Sequence, residues 1–145
     1  DMLSRLSFFF WSAPPTPELA TFAKQHDLKK LDVLQDFAKN MLQSPKAKNG
    51  LYEQFVLQWL RLGALPAHNV DSKAFPDFQG ALLKDMQLEV IETVFAAVQN
   101  GGKIDDLLYA DSVYINARLA DHYGLRSQYD AAQAASKNSD FRKVY

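Results

Sequence analysis

The chain has 145 residues, 48% of them hydrophobic and 23% charged, and carries a net charge of −1 at pH 7. This length and composition are typical of one globular domain that buries its own core, and they argue against disorder. The 16 basic residues are balanced by 17 acidic ones and are scattered along the chain. Because nucleic-acid binding draws its affinity from clustered basic side chains, the sequence predicts no nucleic-acid partner.

The sequence contains no cysteine. This excludes disulfides, thiolate zinc sites and covalent haem attachment within these residues. No apolar run approaches the roughly 20 residues of a membrane-spanning helix, so we predict no transmembrane segment. The chain opens on Asp1 without a signal peptide, and we expect the protein to begin upstream.

The first predicted helix runs from Met2 to Trp11 and stops before Pro14-Pro15. Its last four residues, from Phe8 to Trp11, are consecutive aromatics. Successive residues of a helix point about 100° apart, so these rings face all sides, and a helix that is apolar all round must be buried all round. We therefore expect residues preceding Asp1 to cover part of this helix.

Two further helix starts are marked by a capping residue followed by proline, Thr16-Pro17 and Ser44-Pro45. The first opens a helix that runs to about Gln25. Between the two starts, apolar residues recur three and four positions apart over residues 31–43, which predicts another amphipathic helix.

The helix that follows Pro45 carries Phe55, Trp59 and Leu62 at helical spacing. This spacing favours a core-facing stripe, because aromatic side chains dominate the buried area of most cores. Gly63 is expected to end the helix in the left-handed conformation that glycine adopts readily.

The second half of the chain begins with a predicted loop over residues 64–76 and the longest predicted helix over residues 77–99. Asn100-Gly101-Gly102 ends that helix, and a short helix is expected over residues 104–109. The last clear helix extends from a capping Asn116 to Gly124.

These elements predict an all-α fold, an irregular bundle of about six helices in orthogonal and antiparallel packing. We divide the chain into a helical module over residues 1–125 and an irregular tail over residues 126–145. Residues 141–145 are expected to be extended and to lead into a following domain.

Several runs of the sequence, taken in order, resemble a known family. They are RLSFFFWSAPP at 5–15, MLQSPKA at 41–47, QWL at 58–60, FPDF at 75–78 and YINARLADHYG at 114–124. Together they are similar to the helical domain of unknown function numbered 1592, which occurs in large planctomycete-type proteins. The resemblance covers about residues 3–124. The chain departs from the family pattern at Thr16-Pro17, where an acidic residue is more usual, and in a longer stretch after Arg126.

The resemblance implies a secreted or periplasmic location and a host protein that also carries a c-type cytochrome domain. The partners it implies are neighbouring domains of the same polypeptide, with haem c in one of them and no cofactor within this chain. It implies no reaction, because the family's activity is not established.

The first candidate for chemistry is His122 with its neighbours Arg118, Tyr123 and Asn116. Arg118 and His122 are four residues apart and share a helix face. At an interface with a haem domain, His122 would ligate iron or bind a propionate, and Arg118 would pair with the carboxylate. The alternative, which we favour, is structural: Asn116 caps the helix, Tyr123 packs and His122 bonds a backbone carbonyl.

The second candidate is the row of carboxylates formed by Asp85, Glu89 and Glu92, which share one face of the longest helix. Such a row suits acid–base chemistry or a hard cation. With no histidine close in sequence, we interpret it instead as a solvated face. The sequence thus predicts neither a metal site nor a catalytic residue.

The sequence-based hypothesis is a non-catalytic scaffold or interaction module. Two alternatives stay open. One is a module that contributes residues to a composite, haem-adjacent redox site, and the other is a polysaccharide-binding surface built on Trp11, Trp59 and nearby tyrosines. Whether the host protein is an enzyme is left open by these residues.

Overall fold

The computed structural model describes residues 2–78, 80–132 and 140–145. Helices dominate this part of the chain, and a single pair of short strands accompanies them. The predicted all-α class is therefore confirmed. The chain forms two compact units, residues 1–55 and residues 56–145, which we describe separately as unit 1 and unit 2.

Unit 1 is a series of short helices, two of which begin at the caps that the sequence predicts. The helices are α1 (Met2–Trp11), α2 (Pro17–Gln25), α3 (Leu31–Gln43) and the turn α4 (Pro45–Ala47), followed by a π-helical segment (Lys48–Tyr52) and the start of α5 (Glu53–Trp59). The Thr16 and Ser44 side chains accept hydrogen bonds from the backbone N–H groups of Leu19 and Lys46. Both predicted cap-and-proline starts are confirmed.

The core of unit 1 is apolar and joins α1 to α3. Its buried residues are Leu3, Phe10, Leu28, Phe37 and Met41. Only one face of α1 is buried, the face of Leu3, Ser7 and Phe10. The rings of Phe8 and Phe9 are 57% and 62% exposed, so the described residues cover one side of α1. That preceding residues cover the rest stays a prediction.

The backbone of α1 closely approaches the backbone of the π-helical segment at Gly50. A Cβ atom at that position would lie 2.7 Å from the carbonyl oxygen of Phe10 and 2.7 Å from the carbonyl carbon of Trp11. Backbone atoms cannot move aside as a flexible side chain does, so this contact requires glycine.

The predicted end of α5 is wrong. The helix stops at Trp59, and Arg61, not Gly63, adopts the left-handed conformation, with φ at 54°. Gly63 lies within a 3₁₀ helix. The prediction that Phe55 and Trp59 face the core is also wrong. Both side chains are half-exposed, and the buried residue of α5 is Val56. A helix of seven residues presents few positions to a core. In α5 the buried position is taken by Val56, whose β-branched side chain is smaller than Phe55 or Trp59.

Unit 2 is organised around one long helix. Its elements are the 3₁₀ helix (Leu62–Ala67), α6 (Gly80–Gln99), α7 (Ile104–Leu108), β1 (Val113–Ile115), α8 (Ala117–Tyr123), α9 (Arg126–Ala131) and β2 (Arg142–Val144). The side chain of Gln87, buried on α6, donates a 2.8 Å hydrogen bond to the carbonyl of Leu62. This bond fixes the 3₁₀ helix against α6, and the helix overlaps the start of the predicted loop over residues 64–76.

The two strands are antiparallel, with Val113 opposite Val144 and Ile115 opposite Arg142. The buried cluster beside them consists of Leu82, Ile115, Leu119, Ala120, Tyr129, Phe141 and Val144. The last three lie in the predicted tail, residues 126–145. The extended conformation expected for residues 141–145 is confirmed by β2, and the described part of this segment contributes to the core. The proposed boundary at residue 125 stays a prediction.

Candidate functional site

The carboxylates of α6 lie against α8 and are not a solvated face. Asp85 and Glu92 are only 8% and 7% exposed, and Glu89 is half-buried. The spacing correctly placed the three residues on one side of α6, but the interpretation of that side as solvated is wrong. It fails because α8, more than 30 residues later, packs its polar side chains onto Asp85 and Glu89.

The first contact between the two helices is an ion pair. The Arg118 guanidinium donates from Nη1 to Oδ2 of Asp85 at 2.8 Å. The Asp85 side chain is 12% exposed and that of Arg118 is 55% exposed. A carboxylate in so sheltered a position needs its charge compensated. Arg118 supplies that compensation while part of its side chain stays in solvent.

The second contact is a hydrogen bond from the Tyr123 hydroxyl to Oε2 of Glu89, 2.8 Å long. Burial raises the pKa of Glu89, and the bond from Tyr123 partly opposes this rise. Burial and the adjacent Glu89 also raise the pKa of Tyr123 above its ordinary value of 10. Tyr123 therefore keeps its proton at physiological pH and acts as a donor to Glu89.

The ends of α8 are capped as the sequence predicts. The Asn116 Oδ1 accepts a 3.0 Å hydrogen bond from the backbone N–H of Leu119. Gly124 ends the helix with φ at 70°, the left-handed region that favours glycine. The role of the Asn116 side chain is thus explained by a contact within α8 itself.

His122 differs from its neighbours because its contacts are made by the ring. Its imidazole meets the Phe78 ring edge-on, with centroids 5.3 Å apart, and lies 5.4 Å from the ring of Tyr123. These ring contacts were not predicted, and the bond to a backbone carbonyl stays a prediction. Because Phe78 precedes α6, this packing also fixes the entry to the long helix.

A pocket of about 360 Å³ opens beside these residues, lined by Asp77, Leu82, Arg118, Asp121 and His122. Two of the four predicted site residues, Arg118 and His122, thus share one concave surface. Asn116 and Tyr123 are engaged elsewhere. The sequence did not identify the partners of Arg118, Tyr123 and His122, which are Asp85, Glu89 and Phe78 respectively. The four-residue spacing of the two carboxylates was nevertheless visible.

The described residues do not hold three or more His, Asp or Glu side chains in an arrangement suited to a metal ion. The same part of the chain offers no helix with the length and hydropathy needed to span a bilayer. The contacts of Arg118 with Asp85 and of Tyr123 with Glu89 join α6 to α8, and the pocket with His122 lies beside them.

Comparison with known proteins gives one finding. The family model described as PSD4, protein of unknown function (DUF1592), matches residues 1–125. No curated protein and no solved structure matches the chain. Because the matched residues make up most of the chain, including α6, α8 and the pocket between them, the chain belongs to the DUF1592 family.

Proposed function

We propose that the chain is a non-catalytic helical interaction module of a larger secreted or periplasmic protein linked to a c-type cytochrome domain. Its partners are neighbouring domains of the same polypeptide. Any haem c belongs to one of those domains, because covalent attachment requires cysteines and this chain has none. The contribution of the module is then docking surface and spacing, with chemistry elsewhere.

The observation that carries the proposal is that most polar candidates already have partners within the chain. Arg118 is bound to Asp85, Tyr123 is bound to Glu89, and Asn116 caps α8. A catalytic group must be able to reach a substrate with its reactive atom. Arg118 and Tyr123 instead hold α8 on α6, and Asn116 stabilises α8 itself, which are structural roles expected of a scaffold.

The test is a reduced-minus-oxidised absorption spectrum, together with the intact mass, of the native full-length protein. The proposal predicts a covalent haem and a mass well above the 16.4 kDa of this chain. A protein without haem, or with the mass of this chain alone, would contradict the link to a cytochrome.

A second candidate function is a composite redox site to which this chain contributes His122. It is favoured by the exposed imidazole of His122, which lines the 360 Å³ pocket together with Arg118. These two side chains can donate hydrogen bonds to a haem propionate from an adjacent domain, against the charge of Asp77 and Asp121 in the same pocket. The haem would supply the electron transfer, and His122 and Arg118 would orient it from this chain.

His122→Ala in the full-length protein separates the two functions, with the exposed His68→Ala as the matched control. An interaction module predicts an unchanged redox potential and unchanged turnover in both variants. A shift in potential confined to His122→Ala, at unchanged stability, would replace the first proposal with the second.

Of the two tryptophans expected to form a polysaccharide-binding surface, Trp59 remains a candidate and Trp11 does not. The indole N–H of Trp11 donates to the carbonyl of Met41 at 3.1 Å, and Lys46 lies over the ring. Trp59 is half-exposed. Trp59→Ala would weaken binding to an insoluble polysaccharide if this residue formed such a surface, and unchanged binding would remove the idea.

A further inference from the structure

A second pocket of unit 2 lies apart from the residues discussed so far. It has a volume of about 320 Å³ and is formed where the last turns of α6 meet the segment that follows α7 and the two strands. Small-molecule sites occupy about 300–1,000 Å³, so this pocket is large enough for one small ring.

The side of the pocket formed by α6 and its C-terminal turn is lined with small residues. Ala96, Ala97 and Gly102 contribute no long side chain that would fill the space. The neighbouring Asn100 uses its side-chain amide to donate a 2.9 Å hydrogen bond to the carbonyl of Ala96.

The other side of the pocket offers donors and acceptors in close proximity. Asp111 provides a carboxylate, Ser112 a hydroxyl that both donates and accepts, and Lys143 an ammonium group. The pKa of Lys143 is raised, chiefly by its hydrogen bond with Tyr145 and further by the charge of Asp111. The pocket therefore carries one negative and one positive charge and favours neither an anion nor a cation.

Two tyrosines also line the pocket. Tyr109, directly after α7, is 84% exposed, and Tyr114 on β1 is half-buried. An exposed tyrosine offers an apolar ring face together with a polar hydroxyl. Beside a pocket with mixed polar groups, such a ring is placed to stack on a flat ligand that has an apolar face and a polar rim.

We propose that this pocket binds one neutral hexose unit of a carbohydrate. A pyranose ring presents C–H groups on its face to Tyr109, and hydroxyls around its edge to Asp111, Ser112 and Lys143. Each of those hydroxyls both donates and accepts, so it matches an acceptor and a donor placed side by side. The proposal goes beyond the interaction module, because the pocket does not involve His122 or any haem.

The experiment probes the full chain with a glycan array of neutral α- and β-linked hexose oligosaccharides and matched uronic acid oligosaccharides. The oligosaccharide with the strongest signal is then titrated by calorimetry. Tyr109→Ala and Asp111→Asn are compared with Phe75→Ala, which removes another exposed aromatic of unit 2, one that does not line the pocket. Circular dichroism verifies that each variant is folded.

The proposal predicts binding of neutral oligosaccharides, weakened about tenfold by Asp111→Asn and by Tyr109→Ala, with Phe75→Ala unchanged. It is overturned if the array shows no binding, if only uronic acid oligosaccharides bind, or if Tyr109→Ala binds as tightly as the unaltered chain. None of these results bears on the haem spectrum, so the two proposals succeed or fail separately.

Discussion

Polar contacts beside the core of unit 1 and those between α6 and α8 of unit 2 differ in kind. In unit 1, Ser7 donates to the backbone carbonyl of Ala13, and Trp11 donates to that of Met41. In unit 2 the contacts between α6 and α8 join side chain to side chain, as in Arg118 with Asp85. Backbone carbonyls do not titrate, whereas carboxylates do. Unit 2 therefore contains ionisable groups that resemble a site, and their role there is to hold α8 on α6.

The largest expected effect on stability comes from a substitution in the apolar core of unit 1. Phe37→Ala removes a buried ring and should lower the free energy of unfolding by about 3–5 kcal/mol, because the lost burial and the cavity both cost energy. Leu31→Ala on the same helix removes an exposed side chain and should change it by less than about 0.5 kcal/mol. Urea denaturation measures both, and equal effects would contradict the assignment of the core face of α3.

The ion pair of unit 2 comes next. Arg118→Ala leaves the sheltered Asp85 carboxylate without its partner and should cost about 1–3 kcal/mol. Arg126→Ala breaks pairs with Asp121 and Asp130 that are exposed on both sides, and such pairs contribute little. Thermal unfolding of the two variants should therefore separate them. A larger loss for Arg126→Ala would argue against a structural role for the contact between α6 and α8.

Helix caps give a smaller effect in each unit. Asn116→Ala should cost about 1 kcal/mol, since its side chain accepts a 3.0 Å bond from the first turn of α8. Thr16→Ala should cost less, because the corresponding bond at α2 is 3.5 Å long. Denaturation curves of the two variants test this order, and a greater loss for Thr16→Ala would reverse it.

The smallest expected effect is the pH dependence of the stability of unit 2. Because burial raises the pKa of Glu89 above 4.5, the folded chain holds this proton more tightly than the unfolded chain. The stabilisation from protonated Glu89 is therefore present below pH 4.5 and is lost as pH rises through the raised pKa.

Glu89→Gln keeps an acceptor for Tyr123 but cannot ionise, so stability should decline less from pH 4.5 to neutral pH. Denaturation across that range measures the difference, with the exposed Asp36→Asn as control. An unaltered pH profile in Glu89→Gln would show that Glu89 does not contribute to the dependence.

Local signals in the sequence predicted much of the fold. The caps at Thr16 and Asn116 and the stop at Gly124 depend on neighbouring residues alone, so a pattern of a few positions specifies them. The solvent-facing side of α1 was not predictable in the same way. Four consecutive aromatics carry no periodicity, and only the packing of unit 1 selects Phe10 over Phe8 and Phe9.

The candidate site was predicted only in part, because its contacts connect distant residues. Arg118 and His122 were identified from their spacing, and they do share a pocket. Their partners were missed, since Asp85 lies 33 residues before Arg118 and Glu89 lies 34 residues before Tyr123. A row of carboxylates at helical spacing has the same pattern whether it faces solvent or a second helix. Tertiary packing decides between the two.

The most direct test of the account is a double-mutant cycle on Arg118 and Asp85, using Arg118→Ala, Asp85→Asn and the double variant. If the ion pair holds α8 on α6, the two changes should be coupled by about 0.5–3 kcal/mol in the free energy of unfolding. Additive effects with no coupling would mean that these side chains act independently, and would contradict the structural role assigned to them.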